Sequence, residues 1–358
     1  MRRSRFWLGS FVALAPALVG LFVVACEGDA SNGDLAARDG GPRVGLVEDG
    51  GADARSELPR DAAPASDVGA GATDARPDVA PPSGTPRTLA SGQGHPRGIA
   101  IGGGSAYFTV SEDAVLRRVG VDGGAVETLA TGLEDAFAVA VDDTHAYVGT
   151  YHPQGVVVRV PVSGGPAETL ATSQAYATSV AVVGGEAFFT TATAVRSVPV
   201  MGGPITTHGE QLSGPNGIAI GAGAIFATLY NGGSIVRSVG GVVSTVVSGQ
   251  SFPSGIVLAG QGLYYTCTGD GTVRSVLPDG GSAHVVTSGW GYPLAIVTDG
   301  SSLYFTTAAG VVVRVGTDGS GLTLLATHEQ GPEGIAIDAT TVYWVTHPGD
   351  EVRALSPR

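Results

Sequence analysis

The chain has 358 residues, of which 57 are glycine and 21 proline, and only 14% are charged. That composition excludes a helix-rich protein and predicts many turns between short apolar strands, an all-β fold. All 19 basic residues are arginine and the formal net charge is −13, which becomes −16 if Arg2, Arg3 and Arg5 leave with a leader. With no basic face to offer phosphates, a nucleic-acid partner is excluded. The only cysteines are Cys26 and Cys267. The first lies next to the leader, so no intramolecular disulfide is expected in the folded part and the core must supply its stability. Cys267, in the string YYTC, is expected to be a small buried residue rather than a reactive thiol.

The chain opens with MRRSR, continues with 20 apolar or small residues from Phe6 to Ala25, and reaches Cys26. A basic start, an apolar stretch and a small residue before the cysteine describe an export signal over residues 1–25. The segment Val23-Val24-Ala25-Cys26 resembles the lipobox of bacterial lipoproteins, which implies that Cys26 is acylated and that the lipid bilayer is one partner. An uncleaved membrane-spanning anchor is the alternative, since 20 apolar residues suffice to span. In that resemblance an aspartate after the cysteine signals inner-membrane retention. Here the residue is Glu27, so the expectation is the cell envelope, with the outer membrane favoured and the head in the periplasm or at the cell surface.

Residues 26–85 are rich in Ala, Asp, Gly and Pro and nearly free of aromatics, with twelve acids and five arginines between Glu27 and Gly84. Such a segment cannot bury enough apolar surface to offset ordering, and is expected to be a disordered tether. A coil of that length spans roughly 40–50 Å, and its charge run reads as a solvated spacer.

From residue 86 to 358 the sequence repeats. An apolar tetrapeptide recurs as GIAI at Gly98, AVAV at Ala138, SVAV at Ser179, GIAI at Gly217, GIVL at Gly255, AIVT at Ala295 and GIAI at Gly334, in steps of 38 to 41 residues. Nine residues after each anchor stands an aromatic: Tyr107, Tyr147, Phe188, Phe226, Tyr264, Tyr304 and Tyr343. A third run carries an arginine at 118, 159, 196, 237, 274, 314 and 353, and a fourth run such as ETLA completes most units. Four short β runs per 40 residues, repeated seven times, predict a seven-bladed β-propeller of four-stranded antiparallel blades. The last unit ends before a fourth run, while Arg87-Thr88-Leu89-Ala90 stands unclaimed ahead of the first. An amino-terminal strand completing the last blade would close the ring and remove a sheet edge.

The strings HPRGIAIGGGSAYFT, GPNGIAIGAGAIFAT and GPEGIAIDATTVYWVT resemble blades of the NHL-like, YWTD-like and virginiamycin B lyase-like propellers, whose units carry a PxGIAxD segment before an aromatic-rich strand. The resemblance covers residues 86–358 and implies the fold. It does not fix an activity, because such propellers include lyases, lactonases and receptor modules.

In a blade, the loop entering the first strand and the loop between the second and third lie on one face. The residue before each anchor, Arg97, Phe137, Thr178, Asn216, Ser254, Leu294 or Glu333, should ring the channel mouth there. A second ring, four residues after each aromatic, holds Ser111, Tyr151, Ala192, Tyr230, Thr268, Ala308 and His347. Both rings are chemically mixed while the core positions are uniform, and variation on a rigid scaffold marks a working face. The ligand-binding face is therefore expected to use Arg97, Phe137, Asn216, Tyr151, Tyr230, Trp290, Tyr292 and His347. Glu333, His347 and His152 form the one acid and base set that could support catalysis. No HxH or HxxH spacing occurs, so no metal or other cofactor is expected unless the protein is a lyase or lactonase with a divalent metal at the channel mouth, a role for which Asn216 and Glu333 are the only ring ligands. The seven arginines, read as equally placed in every blade, are expected to pack their stems between blades and pair at the edge. The seven aromatics are assigned to the core. Together these features favour a tethered, non-enzymatic propeller binding a protein, peptide or glycan, with the lyase or lactonase as the alternative.

Overall fold

The computed structural model describes residues 84–358. The expected leader, the expected acylation site Cys26 and the expected tether up to residue 83 lie outside the described residues. The described chain forms seven four-stranded antiparallel sheets and no helix. Blade 1 runs through Pro96–Gly102, Ser105–Val110, Val115–Gly120 and Glu127–Thr131. The innermost strands of blades 2 to 7 are Ala136–Val141, Val180–Val183, Pro215–Gly221, Pro253–Ala259, Pro293–Thr298 and Pro332–Ile337. Each packs on the next and the seventh packs on the first, so the ring closes. The closing blade is assembled as the sequence predicts: Arg87–Ala90 pairs with Glu351–Leu355, with Arg87 opposite Ala354 and Thr88 opposite Arg353. No innermost or closing edge is left open to another chain.

The nine-residue offset is the register of the first hairpin. The third anchor residue lies opposite the aromatic in every blade, as in Ala100–Tyr107, Ala219–Phe226 and Val257–Tyr264. A small residue across the strand leaves room for a ring. Five of these aromatics are buried, but Phe188 and Tyr264 are only half-buried, which corrects their assignment to the core. In those blades the next residue, Phe189 or Tyr265, is fully buried instead. Three of the buried tyrosines end on a turn carboxylate. The hydroxyls of Tyr147, Tyr304 and Tyr343 donate to Asp142, Asp299 and Asp338 at 2.7, 2.9 and 2.6 Å. Burial pushes these carboxyls up, yet the backbone N–H and tyrosine donors outweigh it and hold all three below the usual carboxylate range.

The arginines are not equally placed, and that expectation is corrected. Arg118, Arg159, Arg237 and Arg314 lie opposite the anchor aromatic. Arg196, Arg274 and Arg353 lie opposite the residue after it, Phe189, Tyr265 and Trp344. A shift of one residue sends a side chain to the other face of the sheet. Blade 1 carries both kinds, since Arg117 lies opposite Phe108. The choice follows the residue four before the ring position. Where it is polar, the arginine turns towards it: Arg117 reaches Gln93, Arg196 reaches Gln174 and Arg353 reaches Glu329. In blade 5, Gln250 accepts instead from the Tyr265 hydroxyl at 2.8 Å, and Arg274 pairs with Asp270. Where that residue is Leu133, Leu212 or Trp290, a valine takes the facing register (Val158, Val236, Val313) and joins it in one apolar cluster.

Candidate functional site

Six of the seven innermost strands, all but that of blade 3, shift register at the ring position, as between Pro96 and Ile99 or Pro253 and Ile256. Such a bulge frees the following backbone N–H from the ladder. A threonine two residues after the aromatic takes it up: Gly217 N–H donates to Thr228 Oγ1 at 2.8 Å, and Thr228 donates on to the Ser254 carbonyl of the next blade at 2.6 Å. Thr109, Thr266 and Thr306 repeat this with the carbonyls of Phe137, Leu294 and Glu333, while Thr190 makes only the second bond, to the Asn216 carbonyl at 3.0 Å. Five of the seven ring positions are thus held from behind by the preceding blade. The staple was overlooked in the sequence, although a threonine at one offset in five of seven units is visible there.

The ring itself is more closed than expected. Phe137, Thr178, Asn216, Ser254 and Leu294 are buried, and only Arg97 and Glu333 are part-exposed. What rises from the face are ring-bearing side chains that meet across blade junctions. His95 and His347 lie edge to face with centroids 4.5 Å apart between blades 7 and 1. Tyr151 and Tyr176 lie 5.0 Å apart between blades 2 and 3, with Phe137 beneath Tyr151 at 5.6 Å. Tyr230 and Phe252 lie 5.2 Å apart between blades 4 and 5. In each pair one residue follows the second strand of a blade and the other enters the next blade. Aromatic pairs at these separations attract beyond their area.

Of the expected face residues, Tyr151, Tyr230 and His347 belong to these pairs, and Tyr292 is 55% exposed. Trp290 does not belong to the face, which corrects its assignment. It is 9% exposed, its Nε1–H donates to Thr287 Oγ1 at 3.0 Å, and its ring packs on Phe305. It fills the apolar position that Leu133 and Leu212 fill in blades 2 and 4. His95, Tyr176 and Phe252 complete the pairs.

The acid and base set assembles in part. Arg97 pairs with Glu333 Oε1 at 2.8 Å, as neighbours across the closed ring, and His347 Nδ1 lies 3.4 Å from the same oxygen. Burial lowers the His347 imidazole to about 4, helped by the charges of Arg97 and His95. The contact at neutral pH is therefore one between a neutral ring and a carboxylate rather than an ion pair. His152 stays in blade 2, with Nε2 4.0 Å from Glu134. Among the described residues no group of three or more His, Cys, Asp or Glu side chains is arranged to hold a metal ion.

Seven four-stranded blades closed by an amino-terminal strand define a seven-bladed β-propeller. No protein-family model and no curated protein matches the sequence. Among solved structures, virginiamycin B lyase from Staphylococcus aureus superposes with a TM-score of 0.66 at 17% identity, over 76% of this chain and 98% of that one. A streptogramin B lyase gives 0.65 at 17% identity over 76% and 97%. The WD40 propeller domain of Doa1 gives 0.64 at 13% identity over 77% and 98%. At these identities the likeness is one of fold.

Proposed function

We propose that this chain is a binding protein whose ligand seats on the loop face around the channel mouth, recognising a protein, peptide or glycan. The observation that carries this is the set of three ring pairs, at blade junctions 7/1, 2/3 and 4/5, all raised on one face. Loops on a rigid scaffold are where recognition concentrates, and partly exposed aromatics supply contact area with little rotamer entropy to lose. In this reading Cys26 is acylated and tethers the head to the envelope, which the sequence around it supports. Glycan and peptide arrays probed with the full chain, and with Tyr151→Ala and Tyr230→Ala, test it. Binding to a ligand class that weakens at least tenfold in both variants is expected; array signals unchanged in both would overturn it. Cys26→Ser should move the protein from the membrane to the soluble fraction.

A second reading rests on Glu333 and His347. A neutral imidazole against a carboxylate at the channel mouth can accept a proton, as a lyase or lactonase requires, and solved structures of similar fold include lyases. Turnover in a lactone and ester panel, lost in His347→Ala, is the outcome that would establish it; a blank panel removes it.

A further inference from the structure

Of the seven third-strand arginines, Arg237 alone makes no side-chain hydrogen bond or ion pair among the described residues, and its Nε is buried with no partner. Its equivalents show what the position takes. Arg118 and Arg159, like Arg237, lie opposite the anchor aromatic. Each pairs with the glutamate facing it on the fourth strand, Arg118 with Glu127 at 2.7 Å and Arg159 with Glu168 at 2.6 Å. In blade 4 the facing residue is Ser244. The chain around it supplies no substitute, since Arg237 is the only charged residue from Gln211 to Gly269. A half-buried guanidinium without an anion is destabilising, and a carboxylate brought from outside gains charge-assisted bonds there.

The strand in front of Arg237 differs from its counterparts. The outermost strand of blade 4, Val242–Ser248, has seven residues, whereas the other six blades end in strands of four or five. It carries neither the charges nor the proline that protect a free sheet edge. Val242 to Thr245, at the end away from the loop face, are exposed. Val239 lies opposite Val242, on the same side of the sheet as Arg237 and Ser244, and the two valines are 44% and 73% exposed. An added fifth strand satisfies the open backbone groups of this edge and lays an apolar residue over Val242. With only the small Ser244 in between, it also brings a glutamate to Arg237. Antiparallel addition sets these two residues in the spacing Glu-x-Val. A second copy of this strand brings no carboxylate, and Glu127 and Glu168 are tied to their own arginines. We propose that the rim of blade 4 captures an extended acidic β segment of a partner protein, with its carboxylate on Arg237, at a site separate from the loop face.

The test uses the full chain and a fluorescent peptide, Thr-Val-Glu-Thr-Val-Thr, followed by anisotropy, with its Glu→Gln analogue as control. Two variants accompany it. Ser244→Glu rebuilds in blade 4 the pair of blades 1 and 2 and so occupies Arg237, and Arg237→Gln removes the charge. The expected result is binding of the glutamate peptide, at least tenfold weaker for the glutamine peptide and for both variants, with the Tm of Ser244→Glu unchanged or raised. Equal binding of the two peptides, undiminished binding by Ser244→Glu, or no binding at all overturns the proposal. A Tm lowered by several degrees in Ser244→Glu overturns it too, because Arg237 then does not accept a carboxylate. Binding lost in Tyr151→Ala and kept in Arg237→Gln puts the peptide on the loop face, which overturns this site and leaves the binding reading standing. A wild-type dimer in sedimentation that Ser244→Glu dissociates makes a second copy the occupant, and the acidic partner is then overturned.

Discussion

Thr228 donates its hydroxyl to the backbone carbonyl of Ser254 at 2.6 Å, across the boundary between blades 4 and 5, while accepting from Gly217 N–H at 2.8 Å. One buried hydroxyl satisfies a bulge within its blade and pins the ring position of the next. Thr228→Val keeps the shape and leaves two buried backbone groups unmet. A loss of about 1–3 kcal/mol is expected in denaturant unfolding. For a domain of this size that is a fall in Tm of several degrees. Wild-type stability in the variant would show that the staple contributes nothing.

The pairing of Gln174 with Arg196 makes a second prediction. Arg196 donates to Gln174 Oε1 at 2.8 Å, and Gln174 is 3% exposed. Gln174→Leu strands a part-buried guanidinium and should cost about 1–3 kcal/mol. Adding Arg196→Val recreates the leucine–valine arrangement of blade 2 and should recover much of it. A double-mutant cycle by chemical denaturation measures the coupling, and additive effects would refute the link between register and partner.

Acid should weaken the fold partly through His347. Its folded value is about 4 against 6.5 for a free imidazole. Between those values the unfolded chain binds a proton that the folded chain refuses, so stability is fully present above pH 6.5 and falls as pH drops towards 4. The ceiling is about 3 kcal/mol. His347→Gln should flatten the stability profile in that window, whereas Asp142, Asp299 and Asp338, held low in both proteins, act below it. Parallel profiles for the two proteins would rule His347 out.

Cys267 is fully buried, and burial, with Asp270 nearby, pushes its thiol up to about 12. A thiolate is the reactive form. The native protein at pH 8 should leave a disulfide reagent untouched at this residue and react fully once denatured. Labelling of Cys267 at the same rate before and after unfolding would contradict its burial.

The periodic features were readable because they are local. A nine-residue hairpin offset, repeated seven times, follows from strand pairing within a unit, and Arg87–Ala90 was the one unpaired fourth run available to close the ring. Two further features lay in the repeat and were missed: the threonine staple, and the one-residue shift of arginine that accompanies Gln93, Gln174 or Glu329. The first is hidden by attention to anchors, the second because pattern matching tolerates a residue of slippage that reverses a side chain's face.

The sequence by itself determined seven blades, their register and the closing strand, because hairpin periodicity and turn chemistry act over a few residues. Only the tertiary structure decided that His95 meets His347, that Tyr230 meets Phe252, and that Trp290 is core while Tyr292, two residues on, is exposed. Those outcomes depend on neighbouring blades packing at fixed distances and on left-handed turns re-aiming single side chains. No period within one unit encodes either.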